Sequence, residues 1–144
     1  MVNYILLFFC LAMTGLTAKA QSDEDANRQD FVDAYNKFVA TQRYVEKPAE
    51  FKEGTPALYD WIQSHIVYPD EATAQKLSAQ VFVNFVIDYK TGLPKNIKII
   101  QSSNKIFNKE VIRLIKSMPP WNPATKSGYA QGMLISIPIY FHLN

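Results

Sequence analysis

Near the C-terminal end the pattern of apolar positions switches from helical spacing to strict alternation. Phe107, Val111, Leu114, Ile115 and Met118 recur at intervals of three and four, which places them on one stripe of a helix; Lys105, Lys109, Arg113 and Lys116 fall mainly on the other side. Asn104 and Asn108 are both placed to cap its start by accepting a bond from a free backbone N–H. Pro119 and Pro120 lack the N–H that another turn needs, so the helix is predicted to stop there. Trp121 follows as a plug over the helix end, packed against a sheet. From Met133 to Phe141 the period is two: Met133, Ile135, Ile137, Ile139 and Phe141 share one face, and Leu134, Ser136, Pro138, Tyr140 and His142 share the other. Pro138 cannot donate to a ladder, which predicts an edge strand whose backbone at that position faces away from its partner. An edge of this kind accepts an added strand or has to be covered.

Upstream, Val81, Val83, Phe85 and Ile87 alternate with Phe82, Asn84, Val86 and Asp88, the signature of a central strand. Asp88-Tyr89-Lys90-Thr91-Gly92 supplies turn chemistry, and Asn96 to Gln101 reads as the returning strand of a hairpin. The helix then brings the chain back. The last strand therefore lies beside the first, antiparallel to it, and the predicted order is two, one, three with helices on the apolar face. Before the hairpin, Thr55 as cap and Pro56 in the first turn open a helix whose stripe is Leu58, Trp61, Ile62, His65 and Ile66. Asp70 to Leu77 forms a second short helical stretch, and His65 reads as a satisfied, partly buried histidine.

Nearer the N-terminus, Ser22-Asp23-Glu24-Asp25 is suited to opening a helix with the stripe Phe31, Val32, Tyr35, Phe38 and Val39, expected to pack on the domain. Tyr44 to Phe51 is expected to be extended, because Pro48 disfavours a continuing helix, and it is one candidate to cover a sheet edge. Ile5 to Leu16 is an apolar run, and Ala18-Lys19-Ala20 has the small-x-small form of a signal peptidase site, so residues 1–20 read as a cleaved secretory signal. Cleavage removes Cys10, the sole cysteine.

Composition narrows the function. A hydrophobic content of 48% excludes wholesale disorder, and a net charge of +2 is too small for a nucleic-acid surface. His65 and His142 lack metal-ligand spacing, no Gly-rich phosphate loop follows a strand, and no Ser-centred nucleophile elbow is present. Asp70 and Glu71 are better explained as dipole-stabilising residues at a helix start than as an acid and a base. No catalytic, cofactor or metal residue is assigned.

Tyr68-Pro69, the Asp88 and Gly92 turn, Ser102, Glu110, and Met118-Pro119 with Trp121 and Pro123 stand in an order that resembles the TonB C-terminal domain, in its Bacteroidota form. The resemblance runs from about Pro48 to Asn144. Where that family often has Pro-Gly-Gly before the first helix this chain has Lys52-Glu53-Gly54, and Asn108 stands where an aspartate is common. The resemblance implies an α+β fold with a three-stranded antiparallel sheet in a ββαβ core preceded by one or two helices. Together with the readings nearer the N-terminus this divides the chain into a signal peptide at 1–20, an amphipathic lead-in at 21–47 and the domain at 48–144. It also implies a non-catalytic periplasmic protein that docks by strand addition on outer-membrane TonB-dependent receptors, with Gln131, Gly132, Met133, Leu134, Ile135, Ser136 and Ile137 as the pairing strand. Two alternatives are a self-associating envelope protein, a homodimer through the same edge, and an anchored energy transducer if residues 1–20 are retained.

Overall fold

Alternation after Leu77 becomes β1 (Ala79–Ile87), the middle strand of a three-stranded sheet in the computed structural model. The model describes residues 3–42 and 44–143, with side chains described at residue 19 and, within those ranges, from residue 21 onward. β2 (Pro94–Ser102) and β5 (Met133–Phe141) flank β1, both antiparallel to it, so the order and directions are those the pattern predicts. The odd-numbered residues of β1 and β5 form the inner face: Val81, Val83, Phe85, Ile87, Ile135, Ile137 and Ile139 are fully buried. Each such side chain contributes about 1.5–3 kcal/mol by leaving water.

The helices supply the other half of the core. α4 (Asn108–Lys116) lays Val111, Leu114 and Ile115 on the sheet, and a 3₁₀ turn over Lys105–Phe107 precedes it, capped by the Asn104 side chain accepting from the Ile106 N–H at 3.0 Å. Asn108 does not cap; its Oδ1 is buried without a hydrogen-bond partner among the described residues. α2 (Thr55–His65) buries Leu58, Tyr59 and Ile62. Its cap differs from the expectation: Gly54, at φ 90°, occupies the N-cap and Thr55 makes no side-chain cap bond. Glu53, at φ 69°, shares this left-handed approach, a conformation that costs a residue with a Cβ about 1 kcal/mol or more. His65 is exposed instead of partly buried; its ring stacks on Trp61 at 4.2 Å and Nδ1 lies 2.8 Å from the Trp61 carbonyl oxygen. α3 (Asp70–Ala74) follows after Pro69.

α1 (Asn3–Ala40) does not start at Ser22: the helix runs through it, and the Ser22 hydroxyl donates to the Lys19 carbonyl inside the helix. Nothing between Lys19 and Ser22 breaks a helix, so the apolar run and the amphipathic stretch form one rod. Ala18 and Ala20 lie on it, their side chains outside the described residues.

A small hairpin was not anticipated. β3 (Ala124–Lys126) and β4 (Tyr129–Gln131) are joined by Ser127 and Gly128, both at positive φ, as a two-residue turn matched to strand twist requires. Residues 46–50 pair with this region: the Glu50 and Asn122 amides exchange bonds with each other's carbonyls at 2.9 Å, and Thr125 pairs with Lys47. Tyr44 to Phe51 is thus extended, as expected, but lines β3 and not the last strand. Among the described residues no helix is long and apolar enough to cross a membrane, and no cluster of His, Cys, Asp or Glu is placed to hold a metal ion.

Candidate functional site

The main-chain direction of β5 follows from β1. Gln80 sends both its N–H and its carbonyl to Ser103, and the Asp88 N–H goes to the Leu93 carbonyl, so the even-numbered residues of β1 bond toward β2. Its odd-numbered residues therefore bond toward β5, where they pair with Met133, Ile135, Ile137, Ile139 and Phe141. Leu134, Ser136, Pro138 and Tyr140 direct their backbone groups outward. Pro138, opposite Phe82, sits where its missing N–H costs the ladder nothing. No hydrogen bond among the described residues reaches the outward N–H groups of Leu134, Ser136 or Tyr140.

Of the nominated pairing residues, Met133 to Ile137 lie on β5, and Leu134 and Ser136 carry its outward polar groups. Gln131 closes β4 opposite Ala124, and Gly132 links the two strands. The side chains of Met133, Ile135 and Ile137 point into the core, while Leu134 is exposed.

The remaining nominated residues build the support beneath this edge. Gly92, at φ 71°, lets the hairpin turn close on the chain after α4: the Trp121 N–H donates to the Gly92 carbonyl at 2.8 Å, and a Cβ on Gly92 would lie 2.3 Å from the Trp121 carbonyl oxygen. Trp121, 3% exposed, then packs edge-on against Phe85 and Phe51 and tilts toward Tyr35, as a plug against the sheet. Pro119 ends the helix region and Pro123 leads into β3. Asp88 organises the same turn. Its Oδ2 accepts from the Lys90 and Thr91 amides and the Thr91 hydroxyl, and its Oδ1 takes Lys95 Nζ at 2.5 Å. Lys95 first, then these bonds, hold its carboxyl well below the usual carboxylate range.

At the other end of the sheet, Tyr68 sits edge-on to Phe107 and Phe141 and donates its hydroxyl to the Leu77 carbonyl, while Pro69 caps α3. Glu110, 8% exposed, accepts the Val67 N–H at 2.7 Å and both Nε and a terminal nitrogen of Arg113, which also donates to the His65 carbonyl. This network pins the loop after α2 to α4. Ser102 donates to the Asn104 carbonyl and steadies the exit from β2.

Residues 64–143, more than half of the chain, match the family model described as the C-terminal region of the Gram-negative bacterial TonB protein. The chain belongs to the TonB C-terminal domain family. Members of that family are non-catalytic periplasmic interaction domains of envelope proteins, which in general bind TonB-dependent receptors. Two solution structures of TonB C-terminal domains are similar to it. The Pseudomonas aeruginosa domain is 23% identical, over 54% of this chain and 77% of that one, with a TM-score of 0.46. The Helicobacter pylori domain is 24% identical, over 59% and 76%, with a TM-score of 0.47. No curated protein matches the chain.

One feature of the TonB domain edge escaped the sequence reading: α1 packs against β5 as well as α2. An amphipathic stripe says that a face is buried and leaves open what buries it.

Proposed function

We propose that this chain is a periplasmic TonB-like docking protein that binds the N-terminal periplasmic segment of an outer-membrane TonB-dependent receptor by adding it as a strand to the outer edge of β5. The observation that carries the reading is the uninterrupted run of nine partners between β1 and β5, which leaves one regular row of outward groups at Leu134 and Ser136. Residues 1–20 act as a cleaved signal ending at Ala18-Lys19-Ala20, and residues 48–144 form the receptor-binding domain. Self-pairing is less favoured, because Pro138 interrupts the donors that a long symmetric ladder needs.

The magnitude bears on mechanism. Two N–H and two carbonyl groups at Leu134 and Ser136, at about 0.5–1.5 kcal/mol net each, supply roughly 2–6 kcal/mol, which spans roughly tens of millimolar to tens of micromolar binding. Leu134, exposed beside them, is the side chain placed to add to this. Photo-crosslinking from Leu134 in the native cell, followed by mass spectrometry, tests the reading. Capture of a receptor through its periplasmic N-terminal segment is the expected result; capture of a second copy of this chain and no receptor overturns it in favour of self-assembly.

A further inference from the structure

We infer that the C-terminal half of α1 is a releasable strap over the outer edge of β5, so that an incoming strand and α1 compete for the same side of the sheet. The inference rests on the docking reading above.

Contacts with α2 and with the segment around Ala49 set the course of the helix. At one end Arg28 pairs with Asp60 of α2 at 2.5 Å, with its guanidinium 5.7 Å from the centre of the Tyr59 ring, and Phe31 meets that ring edge-on at 5.5 Å. On β5 the Tyr140 phenol is pushed above its ordinary value by burial first and then by the charge of Asp30 on α1. Further along, the Tyr35 hydroxyl donates to the Ala49 carbonyl at 2.9 Å, and the Ala49 N–H lies 3.2 Å from Met133 Sδ. α1 thus packs against β5, and Tyr35 reaches toward the first residue of that strand through Ala49. Pro138 is buried although its face looks away from the core helices, which is consistent with a cover along this edge.

The cover shields the edge without satisfying it. A helix consumes its own backbone groups, so α1 offers none to the outward N–H groups of Leu134, Ser136 and Tyr140. An extended segment in its place pairs those groups. That asymmetry gives a strand partner an advantage over α1 for the edge, whereas β1 is paired with a strand on both sides. The strap is also lightly fastened. Among its described side chains only Phe31 and Tyr35 are buried, its ion pair is on the surface, and residues 21–26 are exposed. Every fastening residue follows Ala20, so removal of residues 1–20 leaves the strap intact.

The test compares the full chain with Phe31→Ala and with the milder double variant Arg28→Ala/Tyr35→Phe, which keeps the aromatic ring if the first variant fails to fold. Amide hydrogen exchange is read without ligand at Leu134, Ser136 and Tyr140, with Val83 and Phe85 of β1 as the folding control. Synthetic peptides covering the periplasmic N-terminal segments of outer-membrane receptors are then titrated in. A third form, Arg28→Cys/Asp60→Cys on a Cys10→Ser background, is bridged by a thiol-cleavable crosslinker. The expected result is edge exchange about tenfold faster in the loosened variants with β1 unchanged, peptide binding about tenfold tighter, and binding lost in the bridged form and regained on cleavage. Unchanged edge exchange in both variants, or equal peptide binding by bridged and unbridged forms, overturns the strap. Accelerated edge exchange with no peptide bound by any form upholds the cover over β5 and sinks the docking reading instead.

Discussion

β2 and β5 flank the same central strand and both run antiparallel to it, yet β2 carries two register shifts and a left-handed Asn96, while β5 keeps nine partners without interruption. β2 also bears Lys95 and Lys98, both exposed, and its outer edge needs no cover: irregular backbone and charge already spoil it as a template. β5 has neither device, and a separate helix packs against it. Protection built into a strand is permanent, and protection supplied by another element can be withdrawn. The edge that stays regular is the one a partner can use.

The largest effect is expected where the two sides are tied together. Gly92 closes the β1 to β2 turn onto Trp121, so Gly92→Val has to place a Cβ against the Trp121 carbonyl from a left-handed backbone. A loss of at least about 3 kcal/mol is expected in urea denaturation. A loss below about 1 kcal/mol means that the segment after α4 yields, and that the two sides are independent.

The inner faces should differ in the same sense as the edges. Ile135 of β5 is fully buried, whereas Ile99 of β2 is only partly covered. Ile135→Ala should cost about 2–5 kcal/mol and Ile99→Ala roughly half as much. Equal costs in parallel unfolding curves would remove the contrast in packing.

Much of this contrast is legible in residue order. The alternation from Met133 to Phe141 marks β5 with its observed bounds, and Pro138 alone fixes which way its backbone faces, because a proline is tolerated only where no donor is needed. The irregularity of β2 is not legible: Asn96 to Gln101 alternates poorly, and nothing local says which residue bulges. The β3 to β4 hairpin announces itself only through Ser127-Gly128, since three-residue arms are too short to show a period. Gly54 at the cap of α2 and the continuity of α1 through Ser22 were missed because Thr55 and Ser22 are good capping residues that the surrounding chain did not need.

An acid-sensitive contact belongs to β2 and has no counterpart described on β5. Lys95 and the turn amides hold the Asp88 carboxyl below its ordinary value, so the folded state keeps it ionised where the unfolded chain has begun to take up a proton. The stability it supplies is present above the unfolded value, about 4, and is lost progressively as the pH falls below that toward the depressed folded value. Asp88→Asn should flatten this part of the acid dependence and Lys95→Met should lessen it, measured as denaturation midpoints between about pH 5 and 2. An unchanged acid profile in Asp88→Asn would place the sensitivity elsewhere.

The smallest effect on stability is expected at Pro138, and it separates fold from association most cleanly. Because its nitrogen points away from β1, Pro138→Val removes no ladder bond and adds one outward N–H midway between those of Ser136 and Tyr140. Stability should change by no more than about 0.5 kcal/mol, since the ladder and the inner face are untouched. Association is a different matter, because the row of outward donors along β5 becomes complete. If α1 covers that row, the variant stays monomeric across a concentration series in analytical ultracentrifugation, and dimers appear only when Phe31→Ala is added. If Pro138→Val alone dimerises, proline is the guard of this edge, and β5 is protected by its own sequence just as β2 is.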